Sequence, residues 1–337
     1  MEEQIIEQLK NSGLLGRSGS NFPVWKKWEA VMKAKVDNPP SSPDSEFGVA
    51  KKFVICNASE GEPLVEKDSF ILENHLNDVI EGMKIAMQTI KATSGYIYLN
   101  SSFYQKYKQK LIDLIGDLPI ELFQKPNGYL AGEETSILNA IEGKRVAPRV
   151  KPPYPIENGL WGEPTLINNV ETLYWVSKIA KGKYQNKRFY CIAGDTPNAG
   201  VFELPETYSI EQVLRETKNY PDFPFFLQIG GGAVGEILLA NELQQPIKGL
   251  ASIIIFNKEK TDPMALMKKW AEFFINENCD QCTPCREGIY RINEILQKTP
   301  LDKETLGEIF AVLEKTSLCP FGRTAYKPFK TTLEKLL

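Results

Sequence analysis

Histidine is nearly missing from this chain: His75 is the one instance in 337 residues. It falls in a stretch of helical periodicity, so it reads as a surface or packing residue and not as a redox or acid–base group. An excess of either charge is also missing. Lys+Arg number 40 against 43 Asp+Glu, a formal net charge of −3, and the short lysine-rich stretches are mixed with acids. That balance gives no whole-chain electrostatic case for nucleic-acid binding. No apolar run reaches the ~18 residues that would mark a membrane span. The opening Met-Glu-Glu-Gln-Ile-Ile-Glu-Gln-Leu-Lys is acidic and helix-like, without the positive start and apolar centre of a signal peptide. The expectation is a cytoplasmic protein, in which structural disulfides are rare.

What the chain does have is a cysteine cluster. Three of its six cysteines fall in Cys279-Asp-Gln-Cys282-Thr-Pro-Cys285, and Cys319 follows about one helical hairpin later in Leu-Cys-Pro-Phe-Gly. Three thiolates at this spacing can wrap one pole of a [4Fe–4S] cluster while a distant cysteine closes the remaining iron. A structural zinc site is the first alternative, although the middle cysteine fits a tetrahedral clip less well. Thiols without metal are the second. Cys56 and Cys191 sit alone in apolar, strand-like runs and read as small core residues. A cubane would make this an electron-transfer protein.

The length suits two or three domains. Up to residue 186 strand and helix patterns alternate: a strand over 52–56, a helix over 72–91, a strand over 95–100, a helix over 104–115, a short strand at Leu122 and Phe123, and helices over 133–141 and 168–181. This is α/β organisation. Residues 187–259 are mostly strand with one helix over 210–216, a small β-rich module. It contains Gly230-Gly-Gly232-Ala-Val-Gly235, which spells a dinucleotide fingerprint but lacks the following helix and the acidic residue about 20 positions on. A tight glycine turn is the preferred reading. Residues 260–337 read as a helical bundle, opened by an Asp262-Pro263 cap, with the cluster cysteines at one end.

The chain resembles the flavin- and NADH-binding subunit of respiratory complex I, the 51 kDa type, and the diaphorase subunits of NAD(P)-linked hydrogenases and formate dehydrogenases. Ordered motifs from about Gly13 to Pro320 carry the resemblance. They are Gly16-Arg-Ser-Gly-Ser-Asn-Phe22-Pro23 with Lys27-Trp28, Asn57-Ala-Ser-Glu-Gly-Glu62-Pro63 with Lys67-Asp68, Gly132-Glu133-Glu134-Thr135, Lys151-Pro-Pro-Tyr154-Pro, Trp161-Gly-x-Pro-Thr-x-x-Asn168-Asn169-Val-Glu-Thr172, and Cys-x-x-Cys-Thr-Pro-Cys-Arg-Glu-Gly. The resemblance implies a Rossmann-like FMN/NADH domain over 1–186, a ubiquitin-like β-grasp module over 187–259 and a helical [4Fe–4S] domain over 260–337.

It also implies roles. Gly16, Arg17, Gly19 and Lys27 would approach the flavin or its phosphate, and Asn57, Glu60, Asn168 and Asn169 would line the same cofactor. Glu62, given the catalytic role, and Glu133 and Glu134 would lie near the nicotinamide and ribose. Tyr129 and Tyr154 would stack on the nucleotide, beside Gly132 and Lys151. Cys279, Cys282, Cys285 and Cys319 would ligate the cluster. The implied reaction is NADH oxidation, or its reverse with NAD(P)⁺, through FMN to [4Fe–4S] and on to partners: a thioredoxin-like [2Fe–2S] subunit and a further iron–sulfur, hydrogenase or dehydrogenase subunit. Ser18 and Asn21 stand where the family has glycine, and Ser59 where it has aspartate. These departures motivate an alternative, an iron–sulfur relay or scaffold subunit that has lost productive flavin and NADH chemistry.

Overall fold

The computed structural model describes residues 2–19, 21–34 and 51–337; Ser20 of the first glycine loop lies outside them. The chain divides into two compact units, one of Met1–Glu60 with Lys67–Asn186, the other of Gly61–Glu66 with Lys187–Leu337.

The first unit opens with α1 (Glu2–Ser12) and α2 (Val24–Lys33), then runs β1 (Phe53–Ala58), α3 (Lys67–Ile90), β2 (Ser94–Leu99), α4 (Ser101–Ile115), β3 (Ile120–Gln124), α5 (Glu134–Ile141), β4 (Thr165–Asn169) and α6 (Val170–Ala180). The four strands pair in parallel in the order β3-β2-β1-β4. Central β1 reads Phe-Val-Ile-Cys-Asn-Ala with its first four side chains buried, as expected for a parallel strand covered on both faces. Cys56 lies in this core, and burial pushes its thiol pKa up.

Two expectations need correction. The 168–181 segment is strand through Asn169 and helix only from Val170, because Thr165–Asn169 pairs in register with Phe53–Asn57. The helix expected from residue 72 begins at Lys67, because the Glu60 carboxylate accepts the amides of Asp68 (2.7 Å) and Ser69 (3.1 Å) and so caps its first turn from a distance. Its backbone departs from helical angles at His75, whose ring packs 4.9 Å from Tyr174 and 6.2 Å from Phe70, as a packing residue should.

The second unit has β5 (Lys187–Gly194), β6 (Gly200–Pro205), α7 (Ile210–Glu216), β7 (Phe225–Ile229), β8 (Glu236–Leu239) and β9 (Ser252–Asn257). They form a mixed sheet in the order β6-β5-β9-β7-β8, with only β5 and β9 parallel. Ser209 and Gln212 form a reciprocal capping box at the start of α7, whose Ile210, Val213 and Leu214 pack on Tyr190, Leu227 and Ile253. The 230–235 glycine segment joins antiparallel β7 to β8 and leads into no helix, which is the turn reading.

Beyond the sheet come α8 (Pro263–Glu277), α9 (Thr283–Leu296), α10 (Lys303–Thr316), α11 (Pro320–Thr324) and α12 (Lys327–Lys335). Asp262 caps α8 through the Met264 amide, with Pro263 at the first helical position. Two short helices follow α10, and α12 lies against β8, where Thr331 accepts the Ile237 amide and Lys335 donates to the Ile237 carbonyl. No described helix is long and apolar enough to cross a membrane.

Helices α3 and α6 meet closely at Gly82, where an added Cβ would lie 2.0 Å from the Leu173 carbonyl oxygen. Gly82→Ala is therefore expected to lower the unfolding free energy by about 1–3 kcal/mol. Gly307→Ala, on exposed α10 with nothing within 4 Å, should raise it by about 0.5–1 kcal/mol. Urea unfolding of the two variants checks both signs.

Candidate functional site

The first unit gathers its glycine-rich, acidic and asparagine motifs around a buried ionic network. Lys67, 2 % exposed, reaches Asp68 at 2.5 Å, Glu171 at 3.2 Å and the Asn169 side-chain oxygen at 3.1 Å. Asn169 donates to Asp68 at 2.7 Å, and its oxygen also caps α6 at the Glu171 amide. Arg17 turns inward from the first loop: its backbone amide donates to Thr172, its guanidinium lies 3.9 Å from Glu171, and it donates to the Tyr184 hydroxyl at 3.2 Å. Trp175 donates its indole N–H to Glu171. Burial alone would lower the Lys67 pKa, but the charges of Asp68, Glu171 and Glu60 outweigh it and the ammonium is held charged. Burial raises the Glu60 carboxyl, Asp68 adds to the rise, and opposing Lys67 and backbone amides leave it at about 8.

The first loop is closed by a bridge between Leu15 and Pro23, with the Gly16 amide donating to the Phe22 carbonyl. Gly19 is exposed, and an added Cβ there would meet nothing within 4 Å. Asn21 has φ +50°, the left-handed conformation that glycine would supply. Asparagine adopts it more readily than other side-chain-bearing residues, so this departure from the family pattern leaves a glycine-like backbone in place. Pro23 stands at the N-cap of α2 and offers its first amides no side-chain acceptor. Trp28, one turn into that helix, donates to the Asn168 side chain at 2.9 Å.

A second cluster forms around α5. Glu133 is its N-cap, with one carboxylate oxygen accepting the amides of Thr135 (2.8 Å) and Ser136 (2.9 Å). Its other oxygen meets Lys151 at 2.9 Å, and Lys151 also meets Glu134 at 2.6 Å. Lys27 reaches Glu134 from α2 at 3.3 Å. Two acids and two lysines thus share one locale. Burial would raise the Glu134 carboxyl, but Lys27 and Lys151 overcome it and hold it at about 2. Asn57 holds the neighbouring turn by donating to the Gly132 carbonyl, and its oxygen accepts from the Ser59 amide and hydroxyl. Gly132 fits closely here, because a Cβ would lie 2.5 Å from the Ser59 hydroxyl oxygen and would force that side chain to move. Tyr154 is 50 % exposed and so is no core residue, while Tyr129 is half-buried at the start of a short turn.

Glu62 belongs to the second unit. Its carboxylate accepts the Ala233 amide at 3.0 Å, in the 230–235 turn. In the same unit Cys282 is the N-cap of α9 and makes no side-chain capping bond, Cys285 follows in the first turn, and Cys319 is the N-cap of α11. Burial raises the Cys285 thiol, and the neighbouring Cys282, Cys319 and Cys279 raise it further. Gly322 allows the closeness: a Cβ there would sit 2.7 Å from Ser317 and 3.2 Å from the Cys285 Cβ. Arg286 pins the first cysteine loop by donating to the Asp280 carbonyl, and Arg323 pins the last by donating to the Ser317 carbonyl. None of the six cysteines forms a disulfide. Among the described residues no three Cys, His, Asp or Glu side chains converge tightly enough for a single metal ion. The donor set is four thiols, two of them at helix N-termini where anionic sulfur is favoured, and it fits an iron–sulfur cluster.

Sequence reasoning did not single out Asp68, Glu171, Trp28 or Thr135 as site residues. Glu171 carried a usable signal, since it is the one acid in the apolar run Val-Glu-Thr-Leu-Tyr-Trp-Val.

Glu134 gives a pH prediction. Its folded pKa lies below the ordinary carboxylate value, so its stabilising contribution is present above about pH 4.5 and lost as pH falls towards 2. Unfolding midpoints measured across that range should fall more steeply for the native protein than for Glu134→Gln. Glu60 acts in the opposite sense, its contribution fading as pH rises from about 4.5 to about 8.

The comparisons with known proteins place the chain in a family. Residues 9–178 match the family model described as the Nuo51 FMN-binding domain, and residues 265–336 match the NADH-ubiquinone oxidoreductase-F iron-sulfur binding region. The chain is 31 % identical to the F subunit of the NADH-quinone oxidoreductase of Aquifex aeolicus, over 99 % of this chain and 84 % of that protein. It is 29 % identical to HndC, a subunit of the NADP-reducing hydrogenase of Solidesulfovibrio fructosivorans, over 98 % and 74 %. It is 30 % identical to the alpha subunit of the NAD-reducing hydrogenase HoxS of Cupriavidus necator, over 99 % and 59 %. Among solved structures, an NAD⁺-reducing [NiFe]-hydrogenase in its H₂-reduced state superposes with a TM-score of 0.86 at 27 % identity, covering 99 % of this chain. The chain spans about three-fifths of that solved chain, 61 % of it. The Rossmann-like mixed α/β fold with its parallel sheet is therefore shared, and the chain belongs to the Nuo51 family of NADH-quinone oxidoreductase and hydrogenase diaphorase subunits.

Proposed function

We propose that this chain is the electron-input subunit of a larger redox complex, oxidising NADH or, in reverse, reducing NAD(P)⁺. The observation that carries the reading is the presence of the flavin-binding region over 9–178 and the iron–sulfur region over 265–336 in one chain. A flavin held by the first region would supply two-electron exchange with a nicotinamide and one-electron exchange with a [4Fe–4S] cluster held by the second, which is why one chain would carry both.

The chain's own residues would bind and orient. The backbone around Gly19, with Lys27, would face the flavin and its phosphate, while Gly16, whose amide is engaged by the Phe22 carbonyl, would keep the loop closed. Arg17 would act from beneath, holding that loop to Glu171. Asn57, Asn168 and Asn169 have side chains engaged with Gly132, Trp28 and Lys67, so their part would be to shape the flavin cradle together with Glu60. Tyr129, Gly132, Glu133, Glu134, Lys151 and Tyr154 would receive the nucleotide, and Glu62 would serve the nicotinamide side. Cys279, Cys282, Cys285 and Cys319 would ligate the cluster. The finer division is 1–186 for flavin and nucleotide, 187–259 as a ubiquitin-like β-grasp module, and 260–337 as a helical cluster domain. Partners would be a thioredoxin-like [2Fe–2S] subunit and a further iron–sulfur, hydrogenase or dehydrogenase subunit.

The alternative, a relay subunit without flavin chemistry, was motivated by Ser18, Asn21 and Ser59. The left-handed backbone of Asn21 and the exposed position of Ser18 weaken two of its three grounds.

An anaerobic NADH titration of the protein reconstituted with FMN, iron and sulfide, followed by visible absorbance, tests the proposal. Flavin bleaching followed by cluster reduction is expected, and iron loading with no flavin response would favour the relay. In Cys282→Ser, cluster content and transfer to one-electron acceptors should be lost while bleaching by NADH persists.

A further inference from the structure

The glycine turn at 230–235 is left without a task by the proposed function, and its contacts give it one. Segment Gly61–Glu66, which carries Glu62, is strapped onto the second unit although its neighbours on both sides belong to the first. The strap is held at both ends. Towards its start the Glu62 carboxylate accepts the Ala233 amide at 3.0 Å. Towards its end the Cys191 sulfur accepts the Glu66 amide at 3.4 Å and donates to the Leu64 carbonyl at 3.7 Å. Between them the Val65 amide closes a turn on the Glu62 carbonyl, and Leu64 is left-handed at φ +61°. A left-handed leucine persists only where surroundings hold it, which the two anchors do.

The turn's composition follows from this contact. A Cβ on Gly231 would lie 2.6 Å from a Glu62 carboxylate oxygen, and Gly231 has φ +129°, strained for any side chain. A Cβ on Gly232 would lie 2.2 Å from the Pro63 carbonyl oxygen. The opposite side is pinned by Trp270 of α8, whose indole N–H donates to the Gly232 carbonyl at 3.1 Å. Helix α8 ends two residues before Cys279.

We propose that the Gly231-Gly232-Ala233 turn, backed by Trp270, is the positioning element for Glu62: it holds the carboxylate through the Ala233 amide and excludes any side chain that would displace it. The fingerprint-like glycines thus serve nucleotide chemistry through an acid they hold and not by touching a pyrophosphate. This rests on the reading of Glu62 as the acid on the nicotinamide side.

The test uses the reconstituted full chain, with Gly231→Ala as the principal variant and Trp270→Phe, which keeps an aromatic side chain and removes the donor, as a milder second. Hydrogen–deuterium exchange of the 61–66 segment should quicken in both. KM for NADH should rise by about tenfold or more in Gly231→Ala, and to a smaller extent in Trp270→Phe, with FMN and iron per chain unchanged. Exchange that stays at the native rate in both variants overturns the proposal, as does faster exchange with an unaltered KM. If the native protein itself shows no flavin reduction by NADH, the functional reading fails, and the exchange rates still decide whether the turn holds the strap. Should Gly231→Ala fail to fold, Trp270→Phe carries both readouts.

Discussion

Two positive charges buried in the first unit, on Lys67 and Arg17, set the constraint on which its site depends. An uncompensated charge away from water costs several kcal/mol, so every segment supplying a counter-charge is held where the charge requires it. Asp68 starts α3, Glu171 and Asn169 start α6 and Arg17 belongs to the first glycine loop, while Glu60, its carboxyl pushed up to about 8, closes the second loop back onto α3 through backbone amides and not as a counter-charge. Segments more than 100 residues apart in sequence meet through one ammonium group. Apolar packing of the same volume would give comparable stability, but it would not specify which loops meet.

The two halves of the chemistry are supported by different physics. Around α5 the acids and lysines are partly exposed and balance one another, an arrangement that an anionic ligand can reorganise at modest cost. Around α9 the four thiols are gathered by backbone shape, with Gly322 permitting close approach and arginines tying down the loops on either side. The first is adjustable and the second is fixed, which is what the proposed roles, a nucleotide that comes and goes and a cluster that stays, would require.

Legibility in the sequence followed how local the determining interaction is. Helix α7 was readable to the residue because its capping box, Ser209 with Gln212, lies within the segment itself. The cysteine spacing was readable because the loop that holds the thiols is also the motif. Strand β4 was not: a five-residue strand ending in two asparagines has no marker until its pairing with β1 is known. The true start of α3 was hidden for a similar reason, since its cap comes from Glu60 across an intervening loop. Glu62 was legible as a motif residue, but its anchoring to a turn 171 positions away was not. Asn21 shows the converse, where a residue that looks like a departure from glycine keeps the backbone angle that glycine would supply.

The most direct measurement is an equilibrium FMN titration of the apo-protein, following flavin fluorescence quenching, in the native chain and in Lys67→Met. If the buried ammonium is what brings the flavin-facing loops together, the variant binds FMN at least an order of magnitude more weakly while far-ultraviolet circular dichroism shows the secondary structure retained. Native-like FMN affinity in a folded Lys67→Met variant would contradict the account, because the loops would then be assembled by something other than the charge they share.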